Sequence, residues 1–475
     1  MRITLAVLAG IAALMLPGTA AAIPPANDNF ANASVVGSLP YSDVVNTTDS
    51  TTESGEPQSC IFMNQTVWYS FAPTTTSVVA VDNAGTGFTT NVNVYRSFGS
   101  DITSLSFVGC AGNGSSVKFE AEAGATYYVQ TGILFGSVGD LYVNVREIPP
   151  PANDDFANAT PVGTVPYFDS VDATAAGIEP NEPVPSCGFG QSAGSVWYAF
   201  TPSTTGSYSI PSTFTGFWPQ TAVYTGSSLE NLTNLGCQTF GNMLTFHANA
   251  GQTYYIQLGG VFGARGTIIF DLRVALDPVA NFGLNPGDPS MFDTVGFSDF
   301  SFDPAGVGIQ SQSWDFGDGA SATGCCPTHR YAADGTYRVT LTITTGDGRS
   351  ASLARDIEVR THDVAIKKMQ VPQSGNVGQT RLITVGLSNK LYGETVQVQL
   401  YKSGPGGFDH VGTLTQSVPI RAGGRTTDFK FSYTFTSADA VLGKVTFKAV
   451  AQIVSARDAL PADNEAISLP TKVNG

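Results

Sequence analysis

The segment PPANDNFANAS, which starts at Pro24, returns as PPANDDFANAT from Pro150, an offset of 126 residues. A period that long exceeds any solenoid repeat and suits the duplication of a whole domain. The correspondence runs well past the opening words. Asn27, Asp28 and Phe30 answer to Asn153, Asp154 and Phe156, and Glu53, Glu56 and Pro57 to Glu179, Glu182 and Pro183. Further on, Cys60 matches Cys187, the VWYSF at Val67 matches the VWYAF at Val196, Tyr95 matches Tyr224, and Cys110 matches Cys237. The offset drifts by only a few residues, as it does when insertions fall in loops. The chain must therefore build one fold twice.

Charged residues are sparse in this chain, and Gly, Ser, Thr, Val and aromatic residues abound, a mixture that favours short strands joined by many turns. Alternating runs such as Asn91-Val92-Asn93-Val94-Tyr95, and the Tyr-Tyr pairs at Tyr127 and Tyr254, read as half-buried strands, so each copy is expected to be a β-sandwich. The formal charge of -15 is uneven: residues 24–275 hold 19 acidic against 5 basic side chains, and residues 276–475 hold 19 against 17. So acidic a front half repels phosphate backbones and anionic lipid, which argues against nucleic-acid binding and suits divalent cations or basic partners. Residues 1–22 carry Arg2, an apolar run from Ile3 to Leu16 and a small-residue end, Gly18-Thr19-Ala20-Ala21-Ala22. They read as a secretory signal peptide cut near Ala22, because the apolar run falls short of the ~20 residues a retained anchor needs. No other segment is long and apolar enough to span a bilayer, so the mature chain is expected to be secreted and to have no transmembrane segment.

Taken together, ANDxFANA, ExxEP, the cysteine, VWYxF, a Gly-Phe element before a Val-Tyr strand, and AGxTYYxQ resemble the bacterial pre-peptidase C-terminal (PPC) type domain, in two copies over residues 24–149 and 150–275. That resemblance implies a jelly-roll sandwich in a secreted protein, and its collagenase relatives bind collagen and calcium. Both copies depart from the family pattern at two places: Thr89 and Trp218 follow the Phe of the Gly-Phe element, where an Asp is common. Ala111-Gly112-Asn113 and Gln238-Thr239-Phe240 stand where Asn-Asp-Asp often follows the second cysteine.

Downstream, Ser313-Trp314-Asp315-Phe316-Gly317-Asp318-Gly319, then Pro327-Thr328-His329-Arg330-Tyr331 and GTYRVTLT, are similar to polycystic-kidney-disease (PKD) domains over residues 277–360. The similarity implies an Ig-like sandwich that serves as a spacer or as an adhesion and polymer-contact module. Residues 362–475, with alternating runs at Asp363–Met369, Arg381–Leu387, Thr395–Tyr401, Asp428–Phe435 and Lys444–Val450, resemble the cell-adhesion-related (CARDB-like) Ig-type domain. The expected fold is thus all-β: four tandem β-sandwich domains, two jelly-roll-like and two Ig-like. Short Pro-bearing joints, Pro149-Pro150-Pro151 and Asp277-Pro278, suggest a fairly extended rod.

Six cysteines behind a signal peptide imply an oxidising compartment. Duplication would carry a bond along with its fold, so Cys60 with Cys110 and Cys187 with Cys237 are expected to form disulfides within each copy; unpaired or metal-binding thiols are the alternative. Cys325 and Cys326 are adjacent and have only each other, so a vicinal disulfide is expected there, with intermolecular bonding the alternative. The repeated oxygen ligands Asn27, Asp28, Glu53 and Glu56, and Asn153, Asp154, Glu179 and Glu182, are the chemistry that calcium takes. The same residues can equally cap a turn or sit solvated at the surface.

Trp314, Trp68 and Trp197 sit in strand patterns and should be core, with Asp315 and Asp318 shaping a turn or contacting a ligand. Trp218 differs, because no shared core demands an indole where copy one has Thr89; it either packs on Pro219 or offers a platform to a sugar ring or an aromatic partner. Gly190-Gln191-Ser192-Ala193-Gly194 fits the GxSxG string but has a strand after it where a nucleophile elbow needs a helix. The four histidines, His247, His329, His362 and His410, are scattered over different domains, and no metalloprotease or phosphate-binding motif is present. The expected protein is a non-enzyme that contacts extracellular polymers, polysaccharide or protein, or cell surfaces. The alternatives are an accessory or targeting protein for a secreted hydrolase, or a spacer without a specific ligand.

Overall fold

The computed structural model describes residues 23–188, 193–211, 213 and 216–475. The expected signal peptide lies outside the described residues, as do Gly190, Gln191 and Ser192 of the GxSxG string. Regular structure is almost entirely strand, in the tandem β-sandwich arrangement expected from the sequence. No helix among the described residues is long and apolar enough to cross a membrane. The chain divides into two compact units at Val274/Ala275.

The first unit repeats one pair of sheets. A five-stranded sheet runs in the order Ser34–Val36, Asn64–Phe71, Thr126–Ile133, Thr90–Ser97, Leu105–Gly112, facing a four-stranded sheet of Tyr41–Asn46, Asp140–Ile148, Ser77–Asp82 and Ser116–Ala121. The second copy has the same order: Thr160–Val162, Ser195–Phe200, Tyr254–Gly260, Pro219–Thr225, Thr233–Gln238, and then Tyr167–Asp172, Thr267–Val274, Gly206–Pro211, Met243–Ala248. Alternation along each strand sends one set of side chains between the sheets, where Val67, Tyr69, Val79, Val92, Val129 and Val143 make the first core. Val196, Tyr198, Ile210, Val223, Ile256 and Phe270 make the second. The strand that carries VWYSF is buried on both faces. Trp68 points away from the inter-sheet core into a small cluster with Phe30 and Tyr95, which explains its unbroken apolar run. Across the two copies, Lys118 pairs with Asp172 at 2.8 Å and Arg265 with Glu120 at 3.3 Å.

The second unit opens with two sheets, Phe282–Asn285, Val295–Asp299, Thr328–His329 and Ser321–Thr323, Ile309–Asp315, Gly335–Thr345, Ser350–Val359. Val339, Leu341 and Ile343 point inward against Trp314, Phe282, Phe297 and Phe316, as their alternation predicts. Arg349, on the hairpin turn, is held by Asp303 and Asp347 at 2.8 and 2.7 Å in a nearly enclosed cluster. Burial works against the Asp303 carboxylate, but the Arg349 guanidinium and three backbone amides outweigh it and hold its pKa below the usual range.

Residues 362–475 form sheets Val364–Gln370, Thr380–Asn389, Thr427–Thr434; Ser374–Asn376, Thr471–Asn474, Lys444–Val445; and Gly407–Val418, Glu394–Gly404, Phe447–Ile453, Glu465–Ile467. The run Lys444–Val450 expected as one strand is split: the chain leaves one sheet at Val445 and joins another at Phe447. Just ahead of Lys444–Val445 a short helix, Ser437–Leu442, starts on a capping box. The Asp439 carboxylate receives the Thr436 amide at 2.8 Å, the Tyr433 hydroxyl at 2.6 Å and Lys402 Nζ at 2.8 Å, with no exposure to solvent.

Burial alone would raise the Asp439 pKa, yet these partners bring it down to about 2. A folded-state value below the unfolded one gives stability that is present above pH ~4 and lost as pH falls toward 2, of order 2 kcal/mol. Replacing Asp439 with Asn strands Lys402 and should cost about 3 kcal/mol in urea unfolding of the full chain at pH 7. The difference from wild type should shrink at pH 2.5; a pH-independent difference would overturn this account of the site.

Candidate functional site

The repeated carboxylates are gathered by the loop at residues 47–63, which joins Tyr41–Asn46 to Asn64–Phe71. The opening segment folds back onto that second strand as if it were a further strand. Asn27 Nδ2 donates to Trp68 O at 3.1 Å, and the Trp68 amide donates to Asn27 O at 2.9 Å. Phe30 then seats its ring edge-on to the indole, with centroids 5.3 Å apart. Glu53 accepts from the Phe30 amide at 2.9 Å, and Asp28 accepts from the Thr51 amide and hydroxyl at 2.6 and 2.5 Å. Glu56 lies at the centre: it takes the Glu53 amide at 3.0 Å, Thr66 Oγ1 at 2.6 Å, Gln130 Nε2 at 2.9 Å and Trp68 Nε1 at 3.4 Å.

Copy two repeats the arrangement, except that the buried Trp197 Nε1 has no hydrogen-bond partner among the described residues where Trp68 Nε1 meets Glu56. Asn153 exchanges bonds with Trp197 at 3.1 and 2.9 Å, Phe156 meets Trp197 at 5.2 Å, and Asp154 accepts from the Gly177 amide at 2.7 Å. Glu179 accepts from the Phe156 amide at 2.5 Å, and Glu182 from the Glu179 amide at 2.9 Å, Gln257 Nε2 at 2.7 Å and Ser195 Oγ. Burial pushes the Glu182 pKa up, only partly offset by the donors around it, and burial likewise raises Asp154.

This donor set does not fit a calcium ion. A cation needs oxygen lone pairs converging on one point, whereas here the acid oxygens face N–H and O–H donors of the protein and both Asn side chains face a backbone carbonyl. Among the described residues no group of three or more His, Cys, Asp or Glu is placed to hold a metal ion. Of the two readings open for these acids, the arrangement is that of a hydrogen-bond lattice within the fold. Cys60–Cys110 and Cys187–Cys237 complete it, bonding each loop to the edge strand of its five-stranded sheet across a separation of 50 residues. Closing a loop of that length stabilises the fold by about 4 kcal/mol in the chain-entropy account.

The expected vicinal disulfide is not present. Cys325 and Cys326 are exposed thiols, Cys325 Sγ donating to Cys326 Sγ at 2.8 Å. The surrounding backbone is pinned to the sheet through Asp299 N to Cys325 O and Phe297 N to Pro327 O. The Cys325 thiol, by its hydrogen bond, pushes the Cys326 pKa up.

In the WDFGDG turn, Trp314 is core and its Nε1 donates to Gly324 O at 2.8 Å. Asp315 and Asp318 accept from the amides of Gly317 and Ala320 at 2.9 and 3.0 Å. Asp318 also meets His329 Nε2 at 2.7 Å, and that imidazole stacks on Phe316 at 4.3 Å. Gly317 is required, since a Cβ there would sit 2.7 Å from the Arg338 backbone. Both acids thus shape the turn.

Trp218 is 41% exposed, whereas the other three tryptophans are buried. Its carbonyl accepts from the Val261 amide at 3.2 Å, and its ring lies over Gly241, where a Cβ would come within 2.9 Å. Beside it are two residues the sequence reading did not assign to a contact surface, Phe240, noted only as a departure from the family pattern, and Phe262; they are 40% and 72% exposed, with ring centroids 6.3 Å apart. The matched positions in copy one are Thr89, Asn113 and Phe135, and a comparison of the copies across the turns could have found them. There Asn113 closes the loop end, accepting from the Thr90 amide at 2.5 Å and donating to Phe88 O at 2.6 Å.

These sandwiches define a class, and one member of the row has a family: residues 277–360 match the PKD domain. The chain therefore contains a PKD domain within a series of β-sandwiches. A stretch of 62 residues is 40% identical to a microbial collagenase of Vibrio alginolyticus, covering 13% of this chain and 8% of the collagenase. Among solved structures, the PKD1 domain of the Vibrio cholerae metalloprotease PrtV is 36% identical and is matched over its whole length by 18% of this chain, with a TM-score of 0.17. A tetra-tandem repeat from the extending region of a large adhesion protein is 14% identical, covering 81% of this chain and 92% of that one, with a TM-score of 0.20.

Replacing Glu56 with Ala leaves the donors of Gln130 and Trp68 unpaired and Thr66 Oγ1 with only the Thr51 carbonyl at 3.4 Å, at an expected cost of about 3 kcal/mol. Hydrogen exchange of the full chain should show the loss in strand Asn64–Phe71. Melting should be the same with calcium as with chelator, and a calcium-dependent rise would restore the cation site.

Proposed function

We propose that this is a secreted, non-catalytic binding or adhesion protein that contacts extracellular polymers or cell surfaces through the loops and sheet faces of rigid sandwiches. The domains would be a signal peptide at 1–22, PPC-type repeats at 24–149 and 150–275, the PKD domain at 277–360 and a CARDB-like sandwich at 362–475. The observation that carries this reading is the PKD domain set among disulfide-tied sandwiches. The acids that looked available for chemistry serve instead as acceptors within the fold, which supports binding over turnover. Two similar repeats in one chain add avidity where both can engage one polymer. A second reading, an accessory or targeting protein for a secreted hydrolase, draws on the stretch shared with a microbial collagenase.

Retention of the full chain on insoluble collagen, chitin, cellulose and whole cells tests both. Capture by a polymer or a cell surface is expected. Retention on none of them, with no rise in hydrolase activity on the same polymers when the protein is added, would leave only a spacer.

A further inference from the structure

The loop end of copy two differs from that of copy one in a way the shared fold does not require. Where copy one has Thr89 and Asn113, copy two has Trp218 and Phe240, and both copies keep a Phe at the third position, Phe135 and Phe262. The Trp218 carbonyl, bonded to Val261, ties the first loop to the third. The indole lying on Gly241 ties the first to the second, and the ring pair Phe240–Phe262 joins the second to the third. The three aromatic rings therefore belong to one surface, and all three are exposed.

Two further observations separate this surface from ordinary exposed apolar residues. Phe240 and Phe262 have φ of 57° and 55°, a left-handed backbone that bulky residues avoid and that glycine or Asn would adopt more easily. In copy one, Phe135 is as exposed but does not have this conformation. Strained residues of this kind gather at ligand clamps, where the surrounding structure holds them in place. Second, the segments that form the surface, 216–221, 239–243 and 260–264, contain no Asp, Glu, Lys or Arg, although the unit as a whole is strongly acidic, and the next residue, Arg265, is engaged by Thr174 O, Ala193 O and Glu120.

We propose that Trp218, Phe240 and Phe262 form a platform on which a pyranose ring of an uncharged polysaccharide stacks. A pyranose presents a C–H face that suits an indole or phenyl ring, and a rim of hydroxyls that suits amides such as that of Asn242, exposed on the same turn. An ionic ligand finds no charge to pair with on these segments, and a polyanion is repelled by the unit that carries them. The assignment rests on the polymer-binding reading above and narrows it to one site and one ligand class.

Affinity electrophoresis of the full chain in gels containing hydroxyethylcellulose, with carboxymethylcellulose as the anionic counterpart, tests it. Wild type should be retarded by the neutral polymer. Trp218→Ala and Phe262→Ala should each weaken the retardation at least tenfold, and Phe135→Ala should leave it unchanged. Because Trp218 is the exposed indole, the neutral polymer should also protect the red-shifted part of the wild-type tryptophan emission from acrylamide quenching. That readout needs no variant to fold.

Retardation that survives Trp218→Ala and Phe262→Ala overturns the site but leaves the binding reading intact. Equal retardation by carboxymethylcellulose overturns the neutral-ligand assignment. Retention on collagen or cells alone, with neither polymer slowing the protein or shielding the indole, assigns the binding elsewhere and overturns the platform. If nothing retains the protein, the binding reading falls as well.

Discussion

A half-buried carboxylate in the first copy and a buried one in the second, Glu56 and Glu182, sit where three parts of each sandwich meet: the opening segment, the long loop and the central strands. A carboxylate there is costly unless its lone pairs are met, and an incomplete set of donors would be worse than none. The donors come from residues far apart in sequence, Thr66 and Gln130 in one copy and Ser195 and Gln257 in the other, so the acid is satisfied only when the sandwich is already assembled. Once it is, Glu53 and Glu179 can reach the amides of Phe30 and Phe156, and those rings can close over Trp68 and Trp197. The loop that bears these acids has little apolar surface of its own and would otherwise be free to move. The lattice and the disulfide together make it part of the rigid body.

With each sandwich fixed in this way, the opposite requirement, variability, falls on the short turns beside the acid-bearing loop, at the same end of the strands. Copy one spends Asn113 on hydrogen bonds that close its loop end. Copy two gives up that polar closure and displays rings instead. Duplication followed by change at loop ends, with the lattice kept, is how one scaffold acquires a contact surface without losing its core.

Much of this was legible in the residues, and the reasons for the rest are physical. Alternation placed Val339, Leu341 and Ile343 in the core, and the duplication paired Cys60 with Cys110 and Cys187 with Cys237. The carboxylates left two readings open because a cation cage and a hydrogen-bond lattice use the same short oxygen-bearing residues. What tells them apart is the direction of Gln130 and Gln257, which only the strand pairing sets. The adjacent cysteines were paired by elimination, an argument about numbers that carries no information on the oxidation state of either thiol. Phe240 and Phe262 were missed because turns have no periodicity and a left-handed phenylalanine is not something a propensity suggests. The helix Ser437–Leu442 could have been found: Thr436, with Asp439 three positions on and Gly443 at its end, is a capping pattern written in the chain.

Charge and shape act over different distances in such a molecule. The excess of acid in residues 24–275 acts over roughly a Debye length, about 8 Å at physiological salt, and discriminates against polyanions before contact. The proposed platform on copy two, with no charge on its own segments, would act only on contact and discriminate by ring shape. Stacking of that kind is little weakened by salt, whereas attraction between opposite charges would fade with it. For the proposed platform, an aromatic surface on an acidic body would hold its selectivity across a range of ionic strength better than a basic patch, because repulsion by the body and stacking on the rings are independent terms.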